Sequence, residues 1–134
     1  MNLPATGSGL GGLGIDVIEI ERMRRALGRW GDRLLKRVFT AGEIAYCAGR
    51  RDPSPSLAAR FAAKEAFAKA APPGAEPTWQ EVEVVIGDGD KPRLQLSPRL
   101  ARLVGRRAVL VSLSHSDEVA MAAVLIAADA EAVP

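Results

Sequence analysis

The chain has 134 residues, 48% of them hydrophobic, and a formal net charge of +2, so it can build one substantial core but not two, and its charge alone names no partner. A single cysteine, Cys47, excludes an internal disulfide, and the only histidine, His115, has no companion His or Cys for a zinc site. No apolar run approaches the roughly 20 residues of a membrane span, and no basic patch leads into an apolar one as in a signal peptide, so cytoplasmic residence without membrane attachment is expected.

Residues 1–9 are small and Gly-rich and read as a flexible lead-in to a single domain over 10–128, with 129–134 as a frayed tail. From Leu13 the sequence alternates, with Ile15 and Val17 on one side and Gly14, Asp16 and Ile18 on the other, which predicts a strand with Asp16 near its end. Ile20, Met23, Leu27 and Trp30 then recur at helical spacing over about Glu19 to Trp30, and Arg22, Arg25 and Arg29 gather on a neighbouring face. That cationic face is read as suited to an acidic partner, against the plainer alternative of a solvated helix side. Thr40 stands three residues before Glu43, the spacing of a capping box, and opens a short helix through Cys47.

The loop Gly49 to Pro55 carries Arg50 and Arg51, and its Ser54-Pro55 pair predicts the start of the main helix, about Ser56 to Ala71, which Pro72-Pro73-Gly74 stops. Glu81 to Ile86 and Pro92 to Leu96 read as a hairpin around Gly87-Asp88-Gly89-Asp90. Ser97-Pro98 opens another short helix closed by Gly105. Val109 to Ser114 and Val119 to Ile126 are the last two strands, with His115 at their turn. Helices interleaved with adjacent strand pairs give an α+β fold with a mostly antiparallel sheet.

Within the main helix, Glu65 has Phe61, Ala62 and Ala68 as helical neighbours, so its carboxylate points along an apolar stripe. Such a group is costly unless a cation satisfies it, and Lys69 at i+4 or a metal ion are the candidates. Asp16, Glu65 with Lys64 and Lys69, and Ser112-Leu113-Ser114-His115 come from three separate elements. Each has an ordinary reading: Asp16 as a helix cap, Lys64 to Lys69 as surface ion pairs, Ser112 and Ser114 as solvent-facing strand residues, His115 as a structural turn histidine. Together, two carboxylates without nearby His or Cys describe a hard-oxygen site for Mg²⁺ that leaves room for phosphate oxygens. The cations Arg60, Lys64, Lys69 and His115 and the two serine hydroxyls then complement a diphosphate. A Ser-His-acid hydrolase is disfavoured because Ser114 and His115 point to opposite faces of a strand.

The ordered set Gly12-Leu13-Gly14-Ile15-Asp16-Val17-Ile18-Glu19-Ile20-Glu21-Arg22, Phe39-Thr40-x-x-Glu43, Arg60-Phe61-Ala62-Ala63-Lys64-Glu65-Ala66-Phe67-x-Lys69-Ala70 and Val111-Ser112-Leu113-Ser114-His115 closely resembles the holo-[acyl-carrier-protein] synthases, within the 4′-phosphopantetheinyl transferases. The resemblance implies Mg²⁺-dependent transfer of 4′-phosphopantetheine from coenzyme A to a serine of acyl carrier protein, releasing adenosine 3′,5′-bisphosphate, as in fatty acid biosynthesis. By the same resemblance Asp16 and Glu65 are metal ligands and Lys69, together with Lys64, meets the phosphates. Arg60, His115 and Arg50 or Arg51 are implied for the remaining coenzyme A phosphates, Ser112 and Ser114 for the diphosphate, and Lys91-Pro92 for the border of the adenine. Glu65, directly or through a metal-bound water, is the implied acceptor of the serine proton. Arg22, backed by Arg25 and Arg29, is the implied carrier contact, and a homotrimer with its site between subunits is implied for the assembly.

Three places depart from the family pattern. Asp90 stands where Gly usually precedes Lys-Pro, Pro72-Pro73-Gly74 replaces a Phe-Gly or Leu-Gly helix end, and the loop from Gly49 to Ser56 differs in length and composition. The rival readings are a non-catalytic coenzyme A- or nucleotide-binding module, which has no need of both carboxylates, and a nucleic-acid-binding domain, for which the aromatic residues are too few and scattered. No nucleic-acid partner is expected.

Overall fold

The computed structural model of the chain describes residues 10–128, so the expected lead-in 1–9 and tail 129–134 lie outside the described residues. The elements run β1 (Leu10–Glu19), α1 (Ile20–Trp30), α2 (Asp32–Val38), α3 (Ala41–Ala48), α4 (Ser54–Ala70), β2 (Val82–Ile86), β3 (Pro92–Leu96), α5 (Pro98–Val104), β4 (Val109–His115) and β5 (Val119–Ala127). All pairings are antiparallel: a three-stranded sheet in the order β1-β5-β4 and a separate β2-β3 hairpin, which makes the fold α+β.

Most predicted elements fall within a few residues of their expected bounds, and two differ for identifiable reasons. The helix α2 has no counterpart in the sequence reading; Gly31, at φ 52°, ends α1 and starts α2 at once, so two short helices share one corner. The main helix α4 begins at Ser54, two residues early, because Asp52 Oδ1 accepts the Ser54 N–H at 3.0 Å and supplies the cap expected of Ser54. At its far end Ala71 is extended ahead of Pro72, as the residue before proline should be. Thr40 and Glu43 form the expected capping box at the start of α3.

The sheet packs its inner face on α4, and the seat is cut by two glycines. A Cβ at Gly12 would stand 2.0 Å from the Ala70 carbonyl oxygen, and one at Gly14 would stand 1.9 Å from that of Ala66. Only Gly lets β1 lie this close to α4. One buried cluster centres on Phe67, Val82, Leu100, Val124 and Ile126, a second on Ile20, Met23, Phe39 and Leu57, and Ile18 and Leu113 pack against both.

The outer face of the sheet carries no such cover. Leu13, Ile15, Val17 and Leu110 are 57%, 53%, 52% and 61% exposed. The register sets Leu13, Leu125 and Leu110 in one row, Ile15, Ala123 and Ser112 in the next, and Val17, Met121 and Ser114 in a third. Among the described residues, no helix is long and apolar enough to cross a membrane.

Candidate active site

The glycine seat fixes where Asp16 falls. Gly12 meets Ala70 and Gly14 meets Ala66, two residues along the strand against four along the helix, or about 6 Å on each. Asp16, two residues further on the same face, therefore lies beside the next turn of α4, that of Ala62, within reach of the long Lys69 side chain. Lys69 Nζ donates to Asp16 Oδ1 at 3.2 Å and to the Ile15 carbonyl oxygen at 2.8 Å. Of the two candidate partners for Glu65, Lys69 is thus engaged by Asp16 instead.

Asp16 and Glu65 line one pocket of about 350 Å³ together with Arg22, Met23 and Phe61. The half-buried Glu65 carboxylate makes no hydrogen bond or ion pair among the described residues. The residues lining this pocket thus include a carboxylate without a partner and a second acid. No group of three or more His, Cys, Asp or Glu residues able to hold a metal occurs among the described residues. Two carboxylates with open positions suit Mg²⁺, which keeps waters and binds phosphate oxygens, better than a metal that needs a full protein cage.

Lys64 does not join this group. It is 2% exposed, and its ammonium donates to Glu43 Oε1 at 2.8 Å, to the Trp79 carbonyl oxygen at 3.0 Å and to the Val82 carbonyl oxygen. Three acceptors use its three N–H bonds, so the phosphate contact expected of Lys64 is corrected to a structural role. Burial pushes its pKa below the usual lysine range, against the pull of Glu43.

Arg60 is also buried, but its guanidinium is incompletely used. Nη1 donates to the Ser56 carbonyl oxygen at 3.2 Å, whereas Nε and Nη2 have no partner. Its plane lies 4.4 Å from the centre of the Tyr46 ring, and Arg50 lies 5.0 Å from that ring while donating to the Tyr46 hydroxyl at 2.9 Å. Two arginines on one tyrosine, with free donors, make a second cationic centre near the start of α4; Arg51 is exposed in the adjoining loop. The sequence reading passed over Tyr46, although its i,i+4 spacing to Arg50 carried the signal.

The remaining candidates lie apart in a single chain. Ser112 and Ser114 are on the outer face of the sheet, opposite Asp16 and Glu65. His115 ends β4 in register with Ala120, its Nδ1 3.3 Å from the Ser116 carbonyl oxygen. Lys91 and Pro92 follow the tip of the hairpin, where Asp90 has a φ of 58°. That left-handed backbone accounts for the glycine expected there, and Asp is one of the few other residues to tolerate it.

On α1, Arg22, Arg25 and Arg29 are exposed on one side, whereas Arg24 is held by Glu21 and by Asp52 at 2.7 Å. Trp30, expected on the apolar side, is instead exposed beside Arg29 and Arg33, whose guanidinium carbons lie 5.0 and 5.9 Å from its ring.

Residues 12–124 match the family model of the 4′-phosphopantetheinyl transferase superfamily. The chain is 46% identical over 113 residues to a holo-[acyl-carrier-protein] synthase of Chlamydia trachomatis, covering 83% of this chain and 94% of that one. It is 48% identical over 117 residues to that of Moorella thermoacetica, covering 84% and 91%. Among solved structures, the Bacillus anthracis holo-(acyl-carrier-protein) synthase in complex with CoA (3′,5′-ADP) superposes with a TM-score of 0.75 at 32% identity, covering 91% of this chain and 100% of that one. The Helicobacter pylori enzyme in complex with coenzyme A gives 0.74 at 26% identity, covering 85% and 98%. With the family model, the identities over most of both chains and the superposition all in agreement, the chain belongs to the holo-[acyl-carrier-protein] synthases of the 4′-phosphopantetheinyl transferase superfamily.

Proposed function

We propose that Asp16 and Glu65 together hold a divalent cation, Mg²⁺, as this enzyme transfers 4′-phosphopantetheine from coenzyme A to a serine of apo-acyl carrier protein. The observation that carries the assignment is the unpartnered, half-buried Glu65 carboxylate sharing a pocket with Asp16. When bound, the cation neutralises the diphosphate and orients it for in-line attack. In the transfer the serine oxygen forms a bond to the phosphorus bearing pantetheine, the bond from that phosphorus to the bridging oxygen breaks, and adenosine 3′,5′-bisphosphate leaves.

Lys69 holds Asp16 with one N–H and the Ile15 carbonyl oxygen with another, which leaves its third donor for a phosphate oxygen. Glu65 has a second oxygen to accept the serine proton. The Arg60, Arg50 and Tyr46 cluster, with Arg51 beside it, serves the other phosphates of coenzyme A, and Lys91-Pro92 the adenine border. The exposed face of Arg22, Arg25 and Arg29, with Trp30 exposed at its far end, receives the acidic carrier; Arg22 lines the same pocket as the acids and so joins docking to chemistry.

The assembly in this reading is a homotrimer. Its support is the uncovered apolar face of β1, β5 and β4 and the presence of Ser112 and Ser114 on that face. Hydroxyls on the outer side of one copy reach the acids of another only across such a contact. Cytoplasmic residence belongs to the same reading, since coenzyme A and the carrier are its substrates.

Incubation with apo-carrier protein, coenzyme A and Mg²⁺ is expected to add one phosphopantetheine to the carrier by intact mass. Asp16→Ala and Glu65→Ala are each expected to lower the rate by at least about a hundredfold with the far-ultraviolet spectrum unchanged. Activity of either variant within a few fold of the parent would remove the metal assignment.

A further inference from the structure

Glu43 and Lys64 are both almost wholly buried, at 0% and 2% exposure, and neither enters the chemistry above. Their pairing nevertheless gathers four parts of the fold at one point. Glu43 lies in α3, Lys64 in α4, and the lysine's two carbonyl acceptors, Trp79 and Val82, bracket the short helical turn Trp79–Glu81 that leads into β2. The other Glu43 oxygen accepts the Val84 N–H at 2.9 Å, and Oε1 also accepts the Thr40 N–H at 3.0 Å. Every donor of the ammonium and both oxygens of the carboxylate are thus engaged.

Two consequences reach the pocket of Asp16 and Glu65. Successive residues of a helix point about 100° apart, so anchoring Lys64 fixes the direction in which Glu65 leaves α4. The Trp79 ring stacks on Phe61 with centroids 5.1 Å apart, and Phe61, one turn before Glu65 on the same helix side, is a wall of that pocket. The carbonyls that Lys64 grips therefore hold the aromatic wall behind Glu65. On the opposite side of α4, the Gly12 and Gly14 seat fixes Asp16.

We propose that the buried Glu43–Lys64 pair is a positioning device for the transfer site: it sets the rotation of α4 and the Phe61–Trp79 wall so that Glu65 faces Asp16. The proposal rests on the reading that these two acids hold a cation. A pair needed only for stability would act on melting alone, because apolar or neutral isosteres commonly replace a buried ion pair with little loss. A positioning pair acts on the site even in a folded protein.

The test compares the parent, Asp16→Asn and the double variant Glu43→Gln with Lys64→Met. Mn²⁺ binding is followed by electron paramagnetic resonance without substrates, alongside kcat and KM for the carrier. In the folded double variant the Mn²⁺ dissociation constant is expected to rise at least about tenfold and kcat to fall by a similar factor, with KM for the carrier within about twofold. Mn²⁺ affinity and kcat within about threefold of the parent would overturn the proposal. If the double variant does not fold, Glu43→Gln alone, which leaves Lys64 its two carbonyls, carries the test: a loss of Mn²⁺ affinity beyond threefold supports the proposal and an unchanged affinity overturns it. A parent that binds no Mn²⁺, or that binds it equally after Asp16→Asn, overturns the metal reading itself and the proposal with it. Failure of the pair variants alone leaves the metal reading standing.

Discussion

Lys64 and Lys69 lie five residues apart on one helix and do unlike things. Lys69 is half-exposed and leans on Asp16, whereas Lys64 is buried and bound to Glu43. The sequence supplies both lysines beside one acid but says little about which points inward, since that depends on what packs against each side of α4. That Asp16 and Glu65 meet in one pocket was legible from a carboxylate at a strand end and another on an apolar stripe; the Arg60–Tyr46–Arg50 cluster was half-legible, its arginines named and its tyrosine missed. On α1 the arginines divide by partner, with Arg24 tied to Asp52 and Arg22 facing the pocket. Arg22→Glu is therefore expected to raise KM for the carrier by about tenfold or more, with KM for coenzyme A little changed, in steady-state assays varying each substrate. An unchanged KM for the carrier removes α1 as the docking face.

Among the elements, β1 and α4 depend on one another most closely. The alternation of Ile15 and Val17 with Gly14, Asp16 and Ile18 predicted the strand, but the reason for Gly12 and Gly14 became visible only with α4 laid across them. Gly14→Val puts a branched side chain where the Ala66 carbonyl oxygen already stands 1.9 Å from the position of a Cβ, so strand and helix must separate. A loss of about 3 kcal/mol or more is expected in denaturant unfolding, in the upper range for overpacking. Activity should fall further than stability explains, because Asp16 moves with the strand. A Gly14→Val protein of parental stability contradicts this packing. By contrast α2 was illegible: seven residues, Asp32–Val38, give too few turns for a periodic signal, and its start depends on the conformation of Gly31.

For the molecule as a whole, the α+β class and the antiparallel sheet were legible from the order of strands and turns. The division of the sheet into a filled and an open side was not, because both sides of β1 and β4 carry apolar residues and periodicity alone does not say which side has a helix. If further copies cover the open side, Ile15→Lys is expected to shift the protein to monomer size in sedimentation at micromolar concentration and to abolish transfer while keeping the folded spectrum. A parent that is fully active as a monomer removes the trimer. The serines on one side of the sheet and the acids on the other give the arrangement a genetic consequence. In the proposed trimer no copy would own a complete catalytic centre, so a defective subunit would spoil its neighbour's turnover as well as its own, and a cell carrying two versions of this chain would behave according to how they mix.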